Sequence, residues 1–200
     1  MRRVLLWSVL GIAVIFTVVH FWPEKVIERE HGVLCPDEPA QTPSTRKAPW
    51  LHGDFMMTAL ADYDIRALVL HRYEYSNGKE SEISPVDFAL GWGPMSDMFV
   101  VEKLEISQGH RWYQWRVKEL MPIPQRDIER SSANVHIIPA TADVEDKLDD
   151  VYQGSIVHMK GHLVKVTSDG GWHWVSSTSR NDTGHGACEV FWVDEIIVEN

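Results

Sequence analysis

The sequence lacks every short fingerprint that would fix a reaction. It has no G-x-x-x-x-G-K-[ST] loop, no G-x-G-x-x-G turn and no G-x-S-x-G elbow, which removes the motif-based cases for nucleotide, dinucleotide and serine-hydrolase chemistry. Cysteine is scarce, with only Cys35 and Cys188 in 200 residues. Positive charge is scarce too: 19 Lys and Arg stand against 29 Asp and Glu, a net of −10. Two of those cations, Arg2 and Arg3, precede a long apolar run, and the chain beyond Trp22 holds 17 basic and 29 acidic residues. That balance argues against nucleic acid and against a polybasic grip on anionic lipid. It suits a basic partner, or solubility alone.

What is present begins with residues 4–22, VLLWSVLGIAVIFTVVHFW, 19 residues without formal charge. At 1.5 Å per residue such a helix spans a bilayer core of about 30 Å. Trp7 near one end, and Phe21 and Trp22 at the other, suit the two interfaces, and Pro23 ends the run. Arg2 and Arg3 place the N-terminus in the cytoplasm and the rest of the chain outside. The run exceeds a normal signal-peptide core and no A-x-A site follows it. Leu34 stands where a lipobox before Cys35 requires a small residue. Residues 1–22 are therefore expected to be an uncleaved transmembrane anchor, in contact with lipid through residues 4–22.

Residues 23–50, with Pro23, Pro36, Pro39, Pro43 and Pro49 among charged and small residues, read as a semi-rigid spacer holding the domain off the bilayer. Cys35 and Cys188 are a candidate disulfide, since thiols outside the cytoplasm can oxidise. The alternative is that Cys188 is a small buried residue and Cys35 is unbridged.

Residues 51–200 form one domain, large enough to fold without a metal or disulfide. Residues 64–75 read as a central strand, apolar on much of both faces. Ser84-Pro85-Val86-Asp87 reads as a helix start running through Leu90. Residues 98–106 and 111–117 read as strands about a turn at Gln108-Gly109-His110. An irregular stretch with Pro122, Pro124 and Pro139 follows, then a helix over 142–151. Strands are expected over 155–167, 172–178 and 188–199. The fold expected is mainly β with some α: a small antiparallel OB-like barrel with inserted helices, Gly161 marking a sharp bend.

Four phrases carry a resemblance: SPVDFALGWGPMSD (84–97), ISQGHRWYQW (106–115), SSANVHIIPA (131–140) and SSTSRNDTGHGACE (176–189). They resemble a family of small single-pass bacterial envelope proteins with no assigned activity, with Phe88 and Val135 departing where Leu and Met are expected. The resemblance spans about residues 55–195. It implies a bacterial inner-membrane protein with a periplasmic domain and carries over no catalytic residue.

Candidate chemistry concentrates in residues 131–136 and 176–189. His136 with Cys188 would make a thiol nucleophile and its base, and Ser177 with His136 and Asp182 a serine counterpart. Polar loops also arise from turn geometry alone. His158 and His162 lie on a strand, about 13 Å apart, too far to share one zinc, so no metal or cofactor is expected. Trp112, Trp172 and Trp174, with Arg180, Asp182 and His185, form the candidate binding set: either core packing or an aromatic platform for a peptide or glycan, with Arg111 or Arg180 supplying cation–π contacts. The function expected is a membrane-anchored accessory that binds another envelope protein. The alternative is an envelope hydrolase built on His136.

Overall fold

The structure is a computed structural model that describes residues 25–179 and 188–200. The anchor expected over residues 1–22, and Arg180, Asp182 and His185, lie outside the described residues. Among those described, no helix is long and apolar enough to cross a membrane.

The protein is mostly β. The long strand expected near residues 64–75 is β3, Phe55–Glu74. It is preceded by two short strands that pair with it, β1 (Ala40–Pro43) and β2 (Trp50–His52). There follow β4 (Val86–Gly91), helix α1 (Met98–Val101), the hairpin of β5 (Leu104–Gly109) and β6 (Trp112–Val117), and α2 (Gln125–Arg130). Then come β7 (Ser132–Pro139), α3 (Ala142–Leu148), β8 (Ile156–Thr167), β9 (His173–Val175) and β10 (Glu189–Glu199). Pairing runs β3–β4–β7–β10–β8 and returns to β3, so five strands close a ring. All of its pairs are antiparallel except β7 with β10.

Alternation along each strand sends one set of side chains into the ring. Tyr63, Ile65, Ala67 and Val69 from β3 meet Phe88 and Leu90 from β4, Val135 and Ile137 from β7, Met159 from β8 and Phe191 from β10. Val144 and Leu148 of α3 pack against this core; the helix is started by Thr141, whose hydroxyl accepts from the Val144 N–H at 3.3 Å. A second cluster lies on the outer face, where Leu68 and Leu70 of β3 and Ala89 of β4 are covered by Met95, Leu104, Ile128 and Cys35. This is why the strand reads as apolar on both faces. A third cluster joins Phe55, Met57, Val166 and Trp192 to the half-buried Trp50, Trp172 and Trp174.

Four expectations change. Residues 98–101, expected to open a strand, form helix α1, and the strand begins at Leu104. Residues 86–91 form a strand, not a helix. All six are buried, and tertiary burial on both faces outweighs the Ser-Pro start signal, which here only opens the strand. The stretch before Pro139 is a buried ring strand, β7, whose apolar residues are interrupted by Asn134 and His136. Residues 25–50 are not a spacer. Val26 bridges Gln153, and the Ile27 N–H donates to Gln153 O at 2.8 Å. Arg29 donates to Gly154 O and Glu199 O, Cys35 is buried, and β1 belongs to the sheet. Prolines signalled an extended backbone correctly, but an extended backbone can pair with a sheet as well as hang free.

Gly161 is a point of close approach: a Cβ there would lie 2.0 Å from the Trp192 carbonyl oxygen. The same β8–β10 pairing shifts register between Val193 and Glu195, a bulge that bends the strand inward. Gly161→Ala must therefore displace ring backbone. It is expected to cost about 2–3 kcal/mol of stability, measured by urea unfolding; a change under about 0.5 kcal/mol would show that the ring yields freely there.

Candidate functional site

The site grows from one acidic residue on a buried strand. On β4, Val86, Phe88 and Leu90 face the ring interior and Asp87 and Ala89 face out. On β7, Asn134 and His136 face out beside them, through the register Asp87↔His136 and Ala89↔Asn134. Asp87 is 0% exposed and His136 only 2%. The hairpin β5–β6 folds over this face. Its tip is a two-residue turn, since Gly109 pairs with Trp112.

Both tip residues have positive φ, 52° for His110 and 66° for Arg111. Two-residue hairpins need this geometry, and Asn-Gly usually supplies it. Left-handed non-glycine residues are strained and persist only where their surroundings hold them. The surroundings of Arg111 do so from every side. Its N–H donates to the Tyr75 hydroxyl at 2.9 Å and its carbonyl accepts from Asn134 Nδ2 at 3.2 Å. Nη1 sits 2.6 Å from Asp87 Oδ1, and Nη2 donates to Ser84 O at 2.9 Å. The guanidinium stacks over the Tyr75 ring at 3.8 Å and stands 5.6 Å from that of Trp174.

The other carboxylate oxygen, Oδ2, lies 2.9 Å from His136 Nδ1 and accepts weakly from Asn134 Nδ2 at 3.4 Å. The His136 contact is close but does not meet hydrogen-bond geometry. The His136 ring packs against Trp174 at 4.6 Å. The Gln108 carboxamide sits 2.6 Å from that of Asn134 and 3.0 Å from His71 Nδ1, tying the hairpin to two ring strands. Burial and the Asp87 charge push the Tyr75 phenol up to about 12, against the opposing hydrogen bond that its oxygen accepts from the Arg111 N–H.

Of the residues singled out in the sequence, the structure gathers His136, Trp174 and Cys188 here, with Trp172 adjoining. Cys188 Sγ lies 3.9 Å from the Arg111 carbonyl, and its own carbonyl accepts from the Ser177 N–H. The Ser177 hydroxyl donates to Ser179 O and accepts from Ser179 N–H. Trp112 lies on the face of β6 opposite Tyr113, Trp115 and Val117, which pack on the second cluster. The Cys35–Cys188 bridge is not formed. Cys35 is a free thiol packed beneath Leu68 and Met95, and burial pushes it up to about 11 despite Arg66. The residue missed was Asp87, the hub. Its signal was an acid flanked by Val86 and Phe88, hidden by the helix reading.

A second polar row lies on the outer face of β3 and β8. Asp62 meets His162 Nδ1 at 2.8 Å, and Asp64 meets His158 Nε2 at 2.7 Å and Lys160 Nζ at 3.3 Å. His158 and His162 thus each take a carboxylate across the strand. Among the described residues, no three His, Cys, Asp or Glu converge to hold a metal. Burial opposes the charge of Asp62, but the Thr45 N–H, His162 and Ser44 outweigh it and hold the carboxyl below its ordinary 3.8. For Asp64 burial is likewise outweighed by His158 and Lys160.

Two measurements follow from these clusters. Arg111→Gly relieves the strained turn yet leaves Asp87 buried without its cation, so it should still cost about 3–5 kcal/mol. Adding Asp87→Asn should return most of that loss, and a single variant as stable as the parent would show the pair to be idle. The lowered carboxyls give the sign of the acid response: their stabilisation is present above the ordinary carboxylate range and lost as pH falls through the lowered values. Asp62→Asn with Asp64→Asn should therefore flatten the fall in Tm below about pH 4, and an unchanged slope would assign acid lability elsewhere. No protein-family model, no curated protein and no solved structure matches the chain, so the meaning of the site rests on the chemistry of its own residues.

Proposed function

We propose that this chain is a membrane-anchored, extracytoplasmic binding protein, an accessory to another protein of the bacterial envelope. The observation that carries the reading is the enclosure of His136, 2% exposed between the Asp87 carboxylate and the Trp174 ring. A general base must reach the proton it abstracts, and this imidazole is packed as a structural group. Anchorage rests on the apolar run at residues 4–22 and on the likeness of four phrases to single-pass envelope proteins.

The ring is read as an OB-type barrel: five strands, with α3 between the third and fourth. Such barrels bind ligands on the face of their second and third strands, here β4 and β7. In this chain the β5–β6 hairpin occupies that face, so recognition moves to the tryptophan cluster. There Trp172 and Trp174 lie 6.4 Å apart, half-buried, with Lys79 Nζ 5.4 Å from the Trp172 ring. Half-buried tryptophans beside cations are characteristic of protein interfaces, and the acidity of the whole chain favours a basic partner.

A hydrolase using His136 with Cys188 or Ser177 is the second reading, favoured only by the Asp87–His136 contact, which resembles the orienting half of a triad. Purification of the full-length protein from its own membranes with a crosslinker separates the two. A stoichiometric partner is expected, lost several-fold in Trp172→Ala and retained in His136→Ala. Recovery of the protein alone, with a hydrolytic activity that His136→Ala abolishes, would replace the binding reading.

A further inference from the structure

Residues 25–35 lie against the domain from their first described residue, and the place where they dock limits how the domain sits on a membrane. The apolar run ends at Trp22 and the first described residue is Lys25. Three residue steps reach at most about 11 Å however they are arranged. Beyond Lys25 the chain has no slack. Val26 bridges Gln153, Ile27 N–H donates to Gln153 O, and Arg29 Nε donates to Gly154 O at 2.8 Å. Gly154, at φ 87°, is packed so closely that a Cβ would lie 2.0 Å from Ile27 O.

The surface around this docking point has the composition of a membrane interface. Lys25 Nζ stands 4.2 Å over the Tyr152 ring. Tyr73, 40% exposed, is paired with Tyr75 at 4.8 Å. A groove of about 570 Å³ runs between Lys25, Arg72, Tyr73 and Tyr152. Tyrosines settle at headgroup depth because the ring is apolar and the hydroxyl wet, and lysine and arginine reach toward phosphate. Glu74 pairs with Arg72 at 2.6 Å, and Glu145, Asp146 and Asp149 line the adjoining groove, so charge does not draw this end to lipid and its position is set by the tether.

We infer that this end of the domain, Lys25 with Tyr73, Tyr152 and Gln153, rests on the phospholipid headgroup layer of the bilayer that holds residues 4–22. The inference depends on the anchor reading above and adds an orientation to it. The opposite end carries the β2–β3 turn and residues 169–171. It lies up to roughly 35 Å away along β8, since Leu68 pairs with Ile156 at one end and Met56 with Thr167 at the other.

The test is NMR of the full-length, isotope-labelled protein in phosphatidylcholine nanodiscs, with and without lipid bearing a gadolinium-chelating headgroup. Amide signals of Val26, Tyr73 and Gln153 should lose most of their intensity, while those of Leu51 and Gly170 should change little. Incorporation into nanodiscs with uniform loss, or with loss centred on Leu51 and Gly170, overturns the orientation and leaves the anchor standing. A full-length chain that stays in the aqueous fraction overturns the anchor, and the orientation with it.

Discussion

The buried pair of Asp87 and Arg111 is the constraint on which the outer half of the molecule depends. Asp87 is completely desolvated on a ring strand, a position that costs several kcal/mol for a lone carboxylate. It is tolerable only because a hairpin tip delivers a guanidinium to 2.6 Å. That requirement propagates outward. The turn must take two left-handed residues without glycine, the Tyr75 hydroxyl must accept the Arg111 N–H, and Asn134 must hold the Arg111 carbonyl. Hairpin, ring and tip conformation are therefore one unit. Replacing the pair with apolar residues of similar volume could leave stability unchanged, so its value is better sought in register: it fixes where the two-stranded hairpin lands.

That landing decides what the remaining surface can do. With the hairpin down, the outer face of β4 and β7 is filled by Gln108, Arg111 and Tyr113. His136 is shut in behind Trp174. A buried histidine against a carboxylate has the look of catalytic machinery, but the groups around it are bonded to backbone: Ser177 to Ser179, and Cys188 to the Arg111 carbonyl. Proximity of types is a weaker statement than a path for a substrate. The tryptophans sit at the border between closed face and solvent, which is where contact with a partner costs least in desolvation.

Much of the strand content was legible in the sequence because period-two alternation is a strong local signal. Residues 155–167 and 188–199 became β8 and β10 within a residue or two, and the alternation of Trp172 and Trp174 onto one face held. The failures at β4 and β7 share a cause. β4 and β7 are buried on both faces, so neither shows a clean pattern; a Ser-Pro start misled at one and a distant Pro139 at the other. Asp87 was illegible as a hub because its cation lies 24 residues away, on a turn whose strain no local rule anticipates. His136, Arg111 and the tryptophans were identifiable as types, and their grouping was not.

The docking of residues 25–35 ties these parts together. An extended spacer would have let the domain turn freely, and every surface would have been equally available to partner and bilayer. A segment pinned at Gln153 and Gly154 removes that freedom. On the proposed topology the Tyr73–Tyr152 end faces lipid, and Trp50 and Trp172 are carried to the far end of β8. On that topology a partner that meets those tryptophans would stand up to roughly 35 Å from the membrane. The proposed accessory role therefore points to a partner with an extracytoplasmic domain of its own.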